Sequence, residues 1–118
     1  MFNNVEYLAS GMVPLGEFEQ LVLFALVRLG PVAYGATVRR DIELRTDRRL
    51  AISAVYTTLD RLEQKGLVRS RIGEPTRERG GRRRKHFELT PLGARALRDA
   101  YKTYAQMTAG LARRLKTL

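Results

Sequence analysis

The spacing of apolar positions along this chain changes in a definite order, and that order outlines a fold. From Glu17 to Leu29 the sequence is apolar around most of a helical circumference, with acidic residues in the first turn, Arg28 in the last and Gly30-Pro31 to end it. Such a helix belongs at the centre of a core. A second helix is expected from Tyr34-Gly35 to about Arg45, with Tyr34, Val38 and Ile42 on one face and Arg39, Arg40 and Arg45 on the other. The third opens at Ser53, a good N-cap residue, and closes at Gly66, where a C′ glycine belongs. Val55, Leu59 and Leu62 form its core stripe, extended backward by Ile52.

After Gly66 the period drops to two. Val68, Ser70 and Ile72 alternate with Leu67, Arg69 and Arg71. Pro75 ends the first strand, Gly80-Gly81 permits a turn, and Lys85 to Leu89 alternates again with Phe87 and Leu89 inward, His86 and Glu88 outward. Thr90-Pro91 then gives an N-cap followed by proline at the first helical position. The last helix is predicted to run about 26 residues, to near Thr117, which is ~39 Å at the usual rise. Leu97, Ala100, Tyr104, Met107, Leu111 and Leu115 form a heptad-like seam along it. The seam outruns what so small a domain can cover, and its outer part calls for a partner helix.

The predicted architecture is therefore mainly α with a small β-hairpin. Residues 15–90 outline a winged helix-turn-helix, and residues 91–118 a long C-terminal dimerisation helix. Residues 1–14 carry scattered apolar side chains (Phe2, Val5, Tyr7, Leu8, Met12, Val13) cut by Gly11 and Pro14, an arm or one short helix.

Charge changes the picture next. The chain has 22 Lys and Arg against 12 Asp and Glu, a net charge of +10, which favours a polyanionic partner such as nucleic acid or an anionic membrane. A hydrophobic fraction of 44% supports a real core and argues against wholesale disorder. The absence of cysteine excludes disulfides and thiolate metal sites, and the single histidine, His86, builds no zinc site; no cofactor is implied. The longest apolar run, Leu21 to Val27, falls far short of the ~20 residues of a membrane span, and the N-terminus has no signal-peptide pattern. The cytoplasm is the expected compartment. No nucleophile–base pair, metal cluster or phosphate-cradling glycine loop ahead of a helix points to an enzyme.

The basic residues are not evenly spread. Between Arg69 and Lys85 lie eight basic and two acidic residues. A run of this kind is usually a solvated surface, but here it tips a hairpin next to a helix with a polar leading face. Arg79, Arg82, Arg83, Arg84 and Lys85 are thus candidate DNA contacts, since the arginine fork bonds phosphate oxygens in pairs. Phosphate contacts give affinity and register but little sequence discrimination. Reading base edges needs small side chains with a few donors near the leading end of a helix. Ser53, Ala54, Thr57, Thr58 and Arg61 offer that face on the third helix. Tyr56 lies beside the core stripe, its ring inward and its hydroxyl free for a phosphate. Arg48 and Arg49, just ahead of the helix, are candidates for phosphate contact.

Several stretches resemble the PadR family of bacterial transcriptional regulators. They are Leu15-Gly-Glu-Phe-Glu-Gln-Leu, Ala33-Tyr-Gly35, Ala54-Val-Tyr-Thr-Thr-Leu-Asp-Arg-Leu-Glu-Gln-Lys-Gly-Leu-Val68, and the hairpin Glu78-Arg-Gly-Gly-Arg-Arg-Arg-Lys-His-Phe-Glu-Leu-Thr-Pro-Leu-Gly93. Many members have Gly-Tyr where this chain has Tyr34-Gly35, and Tyr-Tyr where it has His86-Phe87; no effector pocket transfers across those departures. The resemblance implies a repressor that binds double-stranded DNA at inverted repeats as a homodimer joined through the C-terminal helix. It also leaves room for a small-molecule effector between subunits, which no residue here identifies. Two rival readings remain at this point. One is a winged helix that docks an acidic protein; the other is a basic RNA-binding protein, for which the sequence lacks an aromatic stacking platform.

Overall fold

Helix α1 (Glu17–Leu29) is the hub of the computed structural model, which describes residues 13–73 and 84–118. At its N-terminus the Glu19 carboxylate accepts the Gly16 N–H at 2.8 Å, satisfying an otherwise orphaned donor. The same buried carboxylate takes the Lys65 ammonium at 2.8 Å, so this charge is paired and hydrogen-bonded inside the fold. Val22, Leu23, Ala25 and Leu26 are buried along α1. A 3₁₀ turn (Gly30–Val32) leads to α2 (Gly35–Thr46), which opens with the Tyr34 N–H donating to Thr37 Oγ1 at 3.0 Å. Val38 and Ile42 of α2 are buried, as their spacing predicts.

Helix α3 (Ile52–Gln64) starts earlier than the sequence indicates. Its N-cap is Ala51, whose carbonyl accepts the Ala54 and Val55 N–H groups at 3.0 and 3.4 Å. Ser53 therefore lies within the first turn, exposed, and not at the cap. The C-terminus does follow its signal. Gly66 takes φ +76°, its N–H bonds the Glu63 carbonyl at 2.9 Å, and the Leu67 N–H bonds the Leu62 carbonyl at 3.0 Å. This paired closure is the Schellman motif, and it turns the chain sharply into the hairpin.

Strands β1 (Val68–Ile72) and β2 (Lys85–Leu89) pair antiparallel with Ser70 opposite Phe87. A third backbone segment joins them. The Phe87 N–H donates to the Ala33 carbonyl at 2.9 Å, and Tyr34 bridges to His86. Phe87 is among the largest fully buried side chains, seated among α1, α2 and α3 residues of one core. Truncating such a side chain to alanine costs about 3–5 kcal/mol.

Helix α4 (Pro91–Thr108) begins as its Thr-Pro start predicts: Thr90 Oγ1 accepts the Gly93 N–H at 3.1 Å and donates to the Gly66 carbonyl at 2.6 Å. Gly93 packs so tightly that a Cβ there would run into the Leu67 carbonyl oxygen. Ala96 and Leu97 complete the core. Beyond them the helix is shorter than its sequence pattern predicts. The helix ends at Thr108, Gly110 takes φ +79°, and a separate short helix α5 (Ala112–Lys116) follows. The continuous part is 18 residues, ~27 Å rather than ~39 Å. A glycine with positive φ breaks the ladder, so the apolar seam does not continue on one straight rod.

Candidate nucleic-acid interface

The first three turns of α3 present a face of small and polar side chains. Ser53, Ala54, Thr57 and Arg61 are all exposed, while Val55, Leu59 and Leu62 turn into the core. Thr58 was expected on the outward face and is instead buried, at 5% exposure. It lies three residues after Val55 and four before Leu62, so it falls within their stripe. The outward face is therefore narrower than the polarity pattern indicates. Tyr56 remains 42% exposed, with its ring against the start of α2. A Cβ on Gly35 would occupy the space of that ring, so only glycine lets it lie there.

The connector before α3 has its own order. The Glu43 carboxylate accepts the Leu50 N–H at 2.9 Å and lies 3.5 Å from the Arg39 guanidinium. The Leu50 hydrogen bond, aided by the positive charge of Arg39 and opposed by burial, holds the Glu43 carboxyl below its ordinary pKa. Arg48 is exposed and paired with Glu17 at 2.6 Å; Arg49 is exposed beside it. An open polar hollow is lined by Arg39, Glu43, Asp47, Arg48, Arg49 and Leu50. Surface pairs such as Arg48–Glu17 are weak and exchange readily for another anion.

Of the basic residues expected to contact DNA from the hairpin, only Arg84 and Lys85 are among the described residues. Arg79, Arg82 and Arg83 lie outside the described residues. Arg84 has its guanidinium 4.4 Å above the Tyr34 ring and donates to the Tyr34 hydroxyl. Cation–π and charge-assisted bonds together tie this arginine to the start of α2. His86, expected on the open strand surface, instead sets its ring edge-on to Tyr34 at 5.6 Å, with Nδ1 buried. Lys85 is exposed, with its ammonium 3.8 Å from Glu63. Arg69 pairs with Glu88 across the strands at 2.9 Å.

The C-terminal face differs in kind. Leu97 was expected on the dimerisation seam but is 5% exposed, spent on this chain's own core. Ala100 and Leu111 are partly covered, whereas Tyr101, Tyr104, Met107 and Leu115 are 63%, 68%, 75% and 54% exposed. Tyr101 meets Phe24 edge-on at 6.4 Å. Glu63 and Tyr101 are contributors that the sequence pattern did not single out, and the contacts of Tyr34 with Arg84 and of Gly35 with Tyr56 were not legible in it. These roles depend on neighbours distant in sequence. Among the described residues there is no cluster of His, Asp and Glu able to hold a metal, and no helix long and apolar enough to cross a membrane.

Three helices, a hairpin whose base pairs with the segment before α2, and a long following helix define a winged helix-turn-helix protein. The PadR-like transcriptional regulator model matches residues 22–99, and the chain belongs to that family of DNA-binding regulators. No curated protein sequence matches it. Among solved structures, a PadR family transcription regulator from Clostridium difficile R20291 has a TM-score of 0.70 at 23% identity, covering 85% of this chain and 99% of that one. A PadR family regulator from Eggerthella lenta DSM 2243 has a TM-score of 0.62 at 24% identity, covering 97% and 90%. RosR of H. salinarum has a TM-score of 0.62 at 23% identity, covering 87% and 86%. At these identities the likeness is one of fold.

Proposed function

We propose that two copies of this chain form a homodimeric repressor that reads an inverted repeat, with α3 in the major groove and the basic hairpin along flanking phosphates. The observation that carries this reading is the outward face of α3. Ser53, Thr57 and Arg61 succeed one another at four-residue intervals, all exposed, with Ala54 alongside. Small side chains let a helix approach base edges, and the arginine and hydroxyls supply donors. Arg48, Arg49, the Tyr56 hydroxyl and Lys85 act as phosphate contacts in this reading, joined by Arg79, Arg82 and Arg83 from the sequence between the two strands. Arg84 serves mainly to hold the hairpin against Tyr34.

The dimer is supported by the exposed aromatic and sulfur side chains on α4. Large apolar groups left this exposed by the described residues favour burial against a second apolar surface. A two-fold arrangement through this face sets the reading helices about one DNA turn, roughly 34 Å, apart. A hollow of about 490 Å³ beside α4, lined by Phe24, Val27, Leu97 and Tyr101 among others, is the place for an effector under this reading. The regulator would work in the cytoplasm.

Enrichment of bound duplexes from a random pool tests the proposal. The expected product is an inverted repeat whose half-site centres are about one helical turn apart. An enriched pool without two-fold symmetry would remove the dimeric reading, and failure to enrich any duplex would remove the DNA reading.

A further inference from the structure

We infer that Glu63 is a positioning residue for DNA recognition: it fixes the angle between α3 and the basic hairpin without itself touching DNA. The inference rests on the proposed division of labour between that helix and that hairpin. The backbone donors of the two strands alternate in direction. Gly73 donates to Arg84 at 2.8 Å, and Thr90 donates to Leu67 at 3.0 Å. Counting inward from either bond makes Ser70–Phe87 a pair whose N–H groups both point away from the partner strand. Both outward donors are taken. On one edge the Phe87 N–H reaches the Ala33 carbonyl at 2.9 Å, ahead of α2. On the other, the Ser70 N–H and Oγ donate to Glu63 Oε2 at 3.2 and 2.6 Å.

The hairpin is thus gripped from both sides at one level. The first grip is backbone to backbone. The second is a single carboxylate in the last turn of α3, the helix proposed to lie in the groove. Its Oε1 also faces the Lys85 ammonium at 3.8 Å, so one side chain engages both strands. Charge-assisted bonds of this kind are stronger than neutral ones. A carboxylate beside a DNA-facing hairpin otherwise repels phosphate. The two possible roles of Glu63 therefore have opposite signs: as an unfavourable charge its removal tightens DNA binding, and as a clamp its removal weakens it.

The test measures affinity for the enriched operator, its dependence on salt, and thermal stability, in the full chain and three variants. For Glu63→Ala we expect about a tenfold loss of operator affinity. The slope of log affinity against log salt should also shrink by about 2, the loss of about two phosphate contacts. Glu63→Gln keeps an acceptor for Ser70 but loses the charge and the Lys85 pairing, and should lose about three- to fivefold, less than Glu63→Ala. Ser70→Ala should lose about threefold, in the same direction as Glu63→Ala.

Equal or tighter binding by both Glu63 variants, with the slope unchanged, would overturn the inference. So would a loss by Glu63→Ala that is fully explained by its unfolded fraction. If Glu63→Ala does not fold, Ser70→Ala carries the test, and parental affinity and slope for that variant overturn the clamp. An unmutated chain that binds no duplex refutes instead the DNA reading on which the inference stands.

Discussion

Helices α3 and α4 are built on the same amphipathic principle and end with opposite outer faces. Each buries one stripe in the common core: Val55, Leu59 and Leu62 from α3, Ala96 and Leu97 from α4. What remains outside on α3 is mostly small or polar (Ser53, Ala54, Thr57, Asp60, Arg61), with Tyr56 half out; on α4 the charged Arg95, Arg98 and Lys102 stand outside together with the large apolar Tyr101, Tyr104 and Met107. The first face can replace water with a polar, charged surface and keep its groups hydrogen-bonded. The tyrosines and methionine of the second gain by leaving water. Core positions in the two helices say little about function. The uncovered side chains differ, and they separate a candidate nucleic-acid surface from a candidate protein surface.

The sharpest way to break the comparison is to charge the apolar face. Tyr104→Glu combined with Met107→Glu should convert the proposed dimer to a monomer and cost at least about 100-fold in operator affinity, since the two half-sites are no longer linked. Sedimentation and gel-shift titrations check the two effects together. A variant that becomes monomeric with unchanged affinity would detach α4 from DNA recognition.

The next largest effect is expected on the hairpin. Replacing Arg79, Arg82 and Arg83 by alanine should weaken binding to operator and random DNA alike. It should also lower the salt slope by up to about 3, at about 0.9 per phosphate contact. Binding titrations at several salt concentrations read this directly. Full retention of affinity and slope would remove these three arginines from the interface.

A smaller and more selective change is expected on α3. Thr57→Val keeps the shape of the side chain and removes its hydroxyl, and should alter preference among operator variants by about 5- to 100-fold at one base position. Competition among single-base operator variants measures it. A uniform loss across all variants would place Thr57 on the backbone and not on a base.

The smallest effect concerns the connector. Glu43 has its pKa lowered in the folded chain, so its contribution to stability is present above the unfolded carboxylate value and is lost as pH falls through the folded one. Glu43→Gln should melt lower than the parent near neutral pH, and the two melting curves should converge in acid. A constant gap in melting temperature from neutral pH down to about pH 3 would contradict this sign.

Much of the fold was legible because its signals are local. The bounds of α1, the Schellman glycine at Gly66 and the Thr90-Pro91 start of α4 each depend on neighbouring residues and fall where expected. The discrepancies are equally physical. Ser53 is an ideal N-cap type, yet the Ala51 carbonyl begins the hydrogen-bond ladder two residues earlier. Thr58 looks outward by polarity and is inward by angle, and its methyl group suits that position. On α4 the three-four spacing masked Gly110, whose positive φ ends the rod. At the candidate interface, the outward residues of α3 were readable from periodicity. The pairing of Ala33 with Phe87, the seat of Tyr56 on Gly35 and the attachment of Arg84 to Tyr34 were not. All three join residues far apart in sequence, and only the assembled core brings them together.

The central claim is that one narrow face of α3, doubled by a second copy of the chain, reads DNA. A hydroxyl-radical footprint of the full chain on the DNA upstream of its own coding sequence tests it most directly. The account predicts two protected patches related by two-fold symmetry, about one helical turn apart, with flanking backbone protection that disappears first as salt is raised. A single unpaired patch would contradict the doubled face, and uniform protection without boundaries would contradict reading of sequence by α3.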